Sequence, residues 1–383
     1  MELRYGTNPE QDARVAPIDD SAPPIRLVSG RPSYINLLDA LNAWQLVAEA
    51  STAVDRVVAT SFKHVSPAGA ATAGALDAVM EETWGVVGGE LSPSAAAYLR
   101  ARDCDPKASF GDFVAVSEPV DQSLARVLAS VVSDGIIAPG FEPGVVEILA
   151  QKKRGAYVVV EAVRDFRPAE WERREVFGLV LEQQSALTPI TRAVIAAGTS
   201  TALPASAVDD LVLAAITARY TQSNTITYAR NGMVLGVGAG QQSRVDCTKL
   251  GGAKVDIWWL RRHDVVRSLA FPDLRRQERI NWQIRYIEGD LTAEEHERLN
   301  EAVEGVCEPL DGEARSSWLD QRTDVVLASD GFIPFRDNID QAARHGVRFI
   351  AHPGGSTREE EIAVACVEHG ITLVSTGIRL FHH

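Results

Sequence analysis

Residues 131–160 read VVSDGIIAPGFEPGVVEILAQKKRGAYVVV, and residues 325–351 read VVLASDGFIPFRDNIDQAARHGVRFIA. Each stretch follows one plan: an apolar strand, Ser-Asp-Gly, an apolar pair, a proline, a helix ending near glycine, and another strand. Two matched units of this length point to internal duplication and not to a short-period solenoid. Working outward, helical spacing is plain over 35–50 and recurs near 93–102, 121–131, 143–153, 206–219, 291–303 and 358–368. Strands are expected near 56–62, 134–138, 156–163, 176–182, 233–237, 324–329, 347–351 and 371–375. Alternation of short apolar strands with helices predicts an α/β fold. The halves divide near 185–205, which gives tandem α/β domains over 1–200 and 201–383.

The 383 residues suffice for two domains with real cores. A net charge of −14 argues against a nucleic-acid or acidic-membrane surface, though a local cluster of Arg and Lys can still hold a small anion. Four scattered cysteines show neither metal-type spacing nor a disulfide scaffold. The first residues lack an apolar signal core, and no run is long enough to span a membrane. A soluble cytoplasmic protein is expected.

In ATSFKHVSPAGAA (59–71) an apolar strand runs into Lys63 and His64. Ser66 as N-cap and Pro67 at the first helical position then predict a helix. The pair would sit at the carboxyl end of a strand, where α/β sheets bind ligands. Taken alone, these residues fit a surface lysine beside a capping histidine better.

Asp134 and Asp330, each in a Ser-Asp-Gly unit, fit turn chemistry before catalysis. YTQSNTITYARNG (220–232) carries an Asn-Gly hairpin signal after Gln222, Ser223 and Asn224. GVGAGQQSR (236–244) follows as a strand, close glycines and a helix start bearing Ser243 and Arg244. Such glycines let backbone approach a ligand, but the G-x-G-x-G spacing is not a dinucleotide fingerprint. Phe332, Pro334 and Phe335 beside Arg336, Asp337 and Asn338 are equally compatible with a capped helix and with an aromatic slot for a planar ring. Arg4, Tyr5 and Arg379 could converge on a phosphate.

Together LRYGTNP, YINLLDALNAWQLV, SFKHVSPAGAA, SFGDFVA, SDGIIAPG, YTQSNTITYARNG, GVGAGQQSR, DGFIPFRDNID and RLFHH keep their order along the whole chain. In these motifs the chain resembles the transformylase part of the bifunctional AICAR transformylase/IMP cyclohydrolase family. The resemblance implies two cytidine-deaminase-like α/β domains related by duplication, and a homodimer with shared active sites. It implies transfer of a formyl group from 10-formyltetrahydrofolate to the 5-amino group of AICAR in purine biosynthesis. It also overturns the bland reading of Lys63 and His64. His64 becomes the general base, Lys63 the group that neutralises developing charge, and Asn224 a holder of oxyanion or amine.

By the same resemblance, Arg4, Tyr5 and Arg379 contact the nucleotide phosphate, Asn36 the ribotide, and Asp134 a ligand. Phe110, Gly111, Ser243 and Arg244, with Phe335, Asp337 and Asn338, line the folate and carboxamide pocket. Whether a monovalent cation sits near the C-terminal histidines is left open. Glu10 departs from the family pattern, replacing a histidine near the nucleotide. The transformylase motif begins at residue 3, so no IMP cyclohydrolase activity is expected here, and cyclisation of the product would need a separate IMP cyclohydrolase or a different pathway. Two alternatives remain: transfer to a related amino-heterocycle ribotide, and a catalytically silent ribotide-binding homologue.

Overall fold

The computed structural model describes residues 1–18, 22–86, 91–305, 307 and 309–383. Strand β1 (Ile25–Ser29) and helix α1 (Tyr34–Val54) precede a hairpin of β2 (Val58–Lys63) and β3 (Ser66–Thr72). Helices α2 (Ala78–Trp84) and α3 (Pro93–Cys104) lead to β4 (Asp112–Val116), α4 (Gln122–Ser130), β5 (Ser133–Ala138), α5 (Val145–Ala150) and β6 (Val158–Ala162). A separate ribbon of β7 (Trp171–Val176) and β8 (Leu179–Gln184) follows, then α6 (Arg192–Ala197) and α7 (Ala205–Arg219). A second hairpin, β9 (Thr225–Arg230) and β10 (Met233–Ala239), leads into the long α8 (Arg244–Leu260). Helices α9 (Asp264–Arg267), α10 (Arg276–Glu288), α11 (Ala293–Ala302) and α12 (Gly312–Leu319) form a satellite cluster on the end of α8. The chain closes with β11 (Val325–Ser329), α13 (Asp337–Ala343), β12 (Val347–His352), α14 (Glu359–Glu368) and β13 (Thr372–Ser375).

Among the described residues, eleven strands make one sheet in the order β1-β6-β5-β4-β2-β3-β10-β9-β11-β12-β13. At its centre β3 and β10 pair antiparallel. Outward from that junction each side has a hairpin partner and then three mutually parallel strands, and the first side adds β1, antiparallel to β6, at its edge. Helices α1, α6 and α7 cover one face, while α3, α4, α5, α8, α13 and α14 cover the other. The expected boundary at residue 200 falls between α6 and α7, but the strands on either side of it share this sheet.

The registers place many chain ends on a single edge. Lys63 pairs with Ser66, Phe62 lies opposite Phe113, and Asp112 lies beside Ser133. Across the junction, Ala239 pairs with Thr225, Ser329 with Ile226, and His352 with Ser375. On the second side this edge is the carboxyl end of the parallel strands, as the α/β rule expects. On the first side it is their amino end, and the antiparallel strands β2 and β1 point at it.

Four local expectations are corrected. The segment after His64 is strand β3, not a helix. Its alanines and Gly69 allow α3 to lie against it: a Cβ on Gly69 would stand 2.3 Å from the Ala101 carbonyl. Pro67 is tolerated because the β2–β3 register shifts there. The strand expected over 176–182 straddles a turn at Phe177-Gly178, both at positive φ, and divides into β7 and β8. The Ser-Asp-Gly echo is out of structural register, since Ser133-Asp134-Gly135 opens β5 while Ser329 closes β11. Finally, Gly236 and Gly238 serve packing and not a ligand. Cβ atoms there would lie 2.1 Å from the Gly251 carbonyl and 2.0 Å from that of Cys247, so their absence lets α8 press onto β10.

Candidate active site

Two clusters of polar side chains lie on the shared edge, one on each side of the β3–β10 junction. The first is built on the β2–β3 turn. His64 and Val65 form its two-residue loop at φ 53° and 60°, while Lys63 and Ser66 are the flanking pair. Two consecutive left-handed residues define a type I′ turn. The tight reversal solves the problem of adjacent strand residues facing apart: Lys63 ends the strand half-buried, and His64 stands exposed at the tip. Lys63 Nζ donates to the Phe110 carbonyl. Gly111, at φ 78°, is flanked by Lys63 and Asp134: a Cβ on it would stand 3.9 Å from Lys63 Nζ and 3.8 Å from Asp134 Oδ1. Asp134 is paired with Lys153 in the turn after α5.

Asp39, which sequence reasoning missed, lies beneath the turn on α1. Its Oδ1 accepts from the Val65 amide at 2.6 Å. Burial raises its carboxyl to about 6 from the usual 3.8, with the Val65 hydrogen bond opposing that rise. Nothing local in the sequence signals the contact, which spans 26 residues.

The start of α1 also carries the N-terminal candidates. Tyr34 N donates to the Tyr5 carbonyl at 3.0 Å, which ties the opening segment to the helix. Arg4 donates to Tyr5 Oη at 3.0 Å and stacks over its ring. Asn36 is buried, and its carboxamide oxygen accepts from Ser33 N in a capping box, with Nδ2 uncommitted among the described residues. Glu10 is exposed and makes no ion pair among the described residues.

The second cluster centres on Arg244, the first residue of α8. Its guanidinium donates to Asp330, to Ser329 Oγ at 2.9 Å and to Asn224 Oδ1 at 2.7 Å. Asp330 is fully buried, and its other oxygen accepts from Thr225 N at 2.9 Å. Asn224 Nδ2 donates to the carbonyls of Gln241 and Gln242 at 2.9 and 3.2 Å. Those carbonyls can only accept and Arg244 can only donate, so the orientation of the Asn224 amide is determined. Both amide hydrogens are committed. What Asn224 still offers is a lone pair on Oδ1.

The C-terminal segment closes this cluster. Leu380 N donates to the Asp330 carbonyl, and His382 exchanges two bonds with Ser223. The half-exposed Phe381 ring lies between two guanidiniums, 4.9 Å from Arg379 and 6.0 Å from Arg244. Ser243 is the exposed N-cap of α8, and its hydroxyl makes no cap bond among the described residues. Asp337 opens α13 with Arg336 as the cap residue, and Phe332 and Phe335 stand about half exposed beside it. Asn338 is buried, its amide spent on Thr248, Phe335 and Asp337. His352 at the end of β12 is a second omission: it is buried, lies 3.3 Å from Glu359 Oε1, and leaves Nδ1 without a partner among the described residues.

No hydrogen bond or ion pair among the described residues joins the two clusters. Three strand steps separate β2 from β9, about 14 Å at the usual spacing.

The molecule is thus a mixed α/β protein with an ionisable turn and an Asn-Arg-Asp cluster, its Arg-Asp pair buried, on one edge of a large central sheet. It belongs to the AICARFT/IMPCHase bienzyme family, whose profile matches residues 1–254. Over its whole length the chain is 28% identical to the "Bifunctional purine biosynthesis protein PurH" of Roseobacter denitrificans, and 29% identical to the proteins so described from Brucella anthropi and Magnetococcus marinus. It spans 59%, 58% and 59% of those relatives.

Proposed function

We propose that this protein transfers a formyl group from 10-formyltetrahydrofolate to the 5-amino group of AICAR. The observation that carries the reading is the type I′ turn, which exposes His64 beside Lys63 on the edge that also carries Asn224 and Arg244. The acceptor amine is conjugated with its ring and must lose a proton as it attacks the formyl carbon. His64 takes that proton. The tetrahedral adduct collapses by breaking its bond to the folate nitrogen, which gains a proton with help from Lys63. Tetrahydrofolate and the formylamino ribotide result. Asn224, with both hydrogens committed, is suited to accept an N–H from the attacking amine and not to donate to the oxyanion.

In this reading Arg4, Tyr5 and Arg379 bind the ribotide phosphate, with Asn36 Nδ2 and Asp134 on the same ligand. Phe110, Gly111, Ser243, Arg244, Asp337 and Asn338 line the folate side of the pocket, and Phe335 the ribotide side. Asn338, with both amide hydrogens committed, fixes Phe335 and accepts from Thr248, and it keeps one lone pair on Oδ1. The mirrored strand order supports the proposed duplication into two deaminase-like halves.

Two half-sites about 14 Å apart also favour a homodimer in which a second copy completes each site. The β7–β8 ribbon is the surface suited to it. It is exposed on both faces with Trp171, Phe177 and Leu179 uncovered, and its Arg174 donates to the terminal His383 carbonyl. Sedimentation of Phe177→Asp beside the unaltered protein tests this, and an unchanged dimer contradicts it.

The reaction is tested by mixing the protein with 10-formyltetrahydrofolate and AICAR and following tetrahydrofolate release. Release that requires AICAR supports the proposal. Release only with another amino-heterocycle ribotide moves the acceptor, an outcome that the unpaired Glu10 makes worth including.

A further inference from the structure

We propose that Asp39 is the positioning residue for the catalytic pair, holding the His64–Val65 turn in its left-handed conformation so that His64 and Lys63 face the same ligand. The kinetic part of this inference rests on the formyl-transfer reading, and the structural part does not.

A type I′ turn normally takes Asn-Gly or a similar pair, because both central residues need positive φ. Here the second position is Val65 at φ 60°. A β-branched residue in that region is a true outlier, held only where its surroundings dictate it. The contact that holds it is the buried carboxylate of Asp39 on the Val65 amide, reached from α1 across the sheet face.

The other half of the molecule supplies a comparison. Helix α7 precedes the β9–β10 hairpin as α1 precedes β2–β3. Its Asp210, equally buried, accepts from Asn231 N at 2.8 Å and Gly232 N at 2.6 Å. Both halves therefore place a helical aspartate under a two-residue left-handed turn. Where the turn is Asn-Gly, the residues favour the conformation themselves. Where it is His-Val, they oppose it, and the clamp has to prevail. The departure from turn chemistry coincides with the residues proposed to do the chemistry.

The groups facing the Asp39 carboxyl are the Val65 amide, Lys63 from β2, Asp112 from β4 and Asp134 from β5. Of these Lys63 favours the ionised form, while Asp112 and Asp134 disfavour it. Ionisation of Asp39 strengthens its bond to the Val65 amide, so the turn tightens as pH rises through the midpoint near 6.

The test uses the full chain with ¹⁵N-labelled valine. The Val65 amide resonance is expected to titrate with a midpoint near 6 in the unaltered protein and to be flat in Asp39→Asn. A Val65 amide that ignores Asp39 overturns the proposal. For the kinetic arm, Asp39→Ala is expected to lower kcat by about 100-fold, the scale of a small misplacement of reacting groups, with ribotide affinity unchanged. Adding Val65→Gly, which removes the penalty at positive φ, is expected to restore most of kcat.

A merely structural Asp39 would instead lower Tm and leave kcat of the folded protein intact, with no rescue of kcat by glycine. That outcome also overturns the proposal. Where Asp39→Ala fails to fold, Asp39→Asn carries the kinetic comparison: it keeps an acceptor for Val65 and should retain more activity than any folded variant lacking one. If the unaltered protein transfers no formyl group, the reaction assignment falls, while the resonance experiment still decides the clamp.

Discussion

Arg244 and Asp330 form an ion pair excluded from solvent, with Asp330 wholly buried and bonded in addition to the Thr225 amide. The pair fixes the guanidinium that in turn orients Asn224. Removing one partner leaves the other charged and buried without compensation. Asp330→Ala is therefore expected to lower unfolding free energy by about 3–5 kcal/mol, measured by urea denaturation. A loss below about 1 kcal/mol would show that the cluster is more hydrated than its burial indicates.

His64 is exposed at the tip of its turn and carries no packing role. His64→Ala should leave Tm unchanged and lower kcat by ~100- to 10,000-fold, the usual worth of a general base. Ribotide affinity, measured by calorimetry, should stay close to that of the unaltered protein. Full turnover in the folded variant would remove His64 from the mechanism.

The buried carboxyl of Asp210 is pushed up to about 6 from the usual 3.8, chiefly by burial. Between about pH 4 and 6 the folded protein keeps a proton that the unfolded chain has released. Stability from this group therefore falls as pH rises across that window and is level above it. Asp210→Asn abolishes the titration. Relative to the unaltered protein, its stability should improve by about 2 kcal/mol between pH 4 and pH 7, read from urea midpoints at both values. A difference independent of pH would show that Asp210 ionises normally in the fold.

Gly238 touches no candidate ligand position, but a Cβ there meets the Cys247 carbonyl and must push α8 away from β10. Gly238→Ala should cost about 1–3 kcal/mol by overpacking. It should also weaken binding of a folate analogue, because Arg244 opens that helix. Unchanged folate affinity in the destabilised variant would separate Arg244 from the folate pocket.

What could be read in the sequence divides along physical lines. The β9–β10 hairpin was legible because Asn231-Gly232 states its own backbone geometry. The β2–β3 hairpin was not, because His64-Val65 contradicts turn chemistry and Ser66-Pro67 imitates a helix start. Gly236 and Gly238 announced a close approach without saying of what, and the answer was α8. Phe177-Gly178 was overlooked inside an apolar run, although Gly178 marked it. The motifs identified Lys63, His64, Asn224 and Arg244 as residues that chemistry would need. They could not show Asp39 beneath the turn or Asp330 behind Arg244, since both contacts join distant segments and exist only once the sheet is formed.

The most direct test of formyl transfer is a single turnover with carbon-labelled 10-formyltetrahydrofolate and AICAR, reading the ribotide by mass spectrometry. The account predicts a ribotide heavier by one labelled formyl group, formed at a rate that collapses in His64→Ala. An unmodified ribotide at stoichiometric enzyme, with both ligands shown to bind, would contradict it.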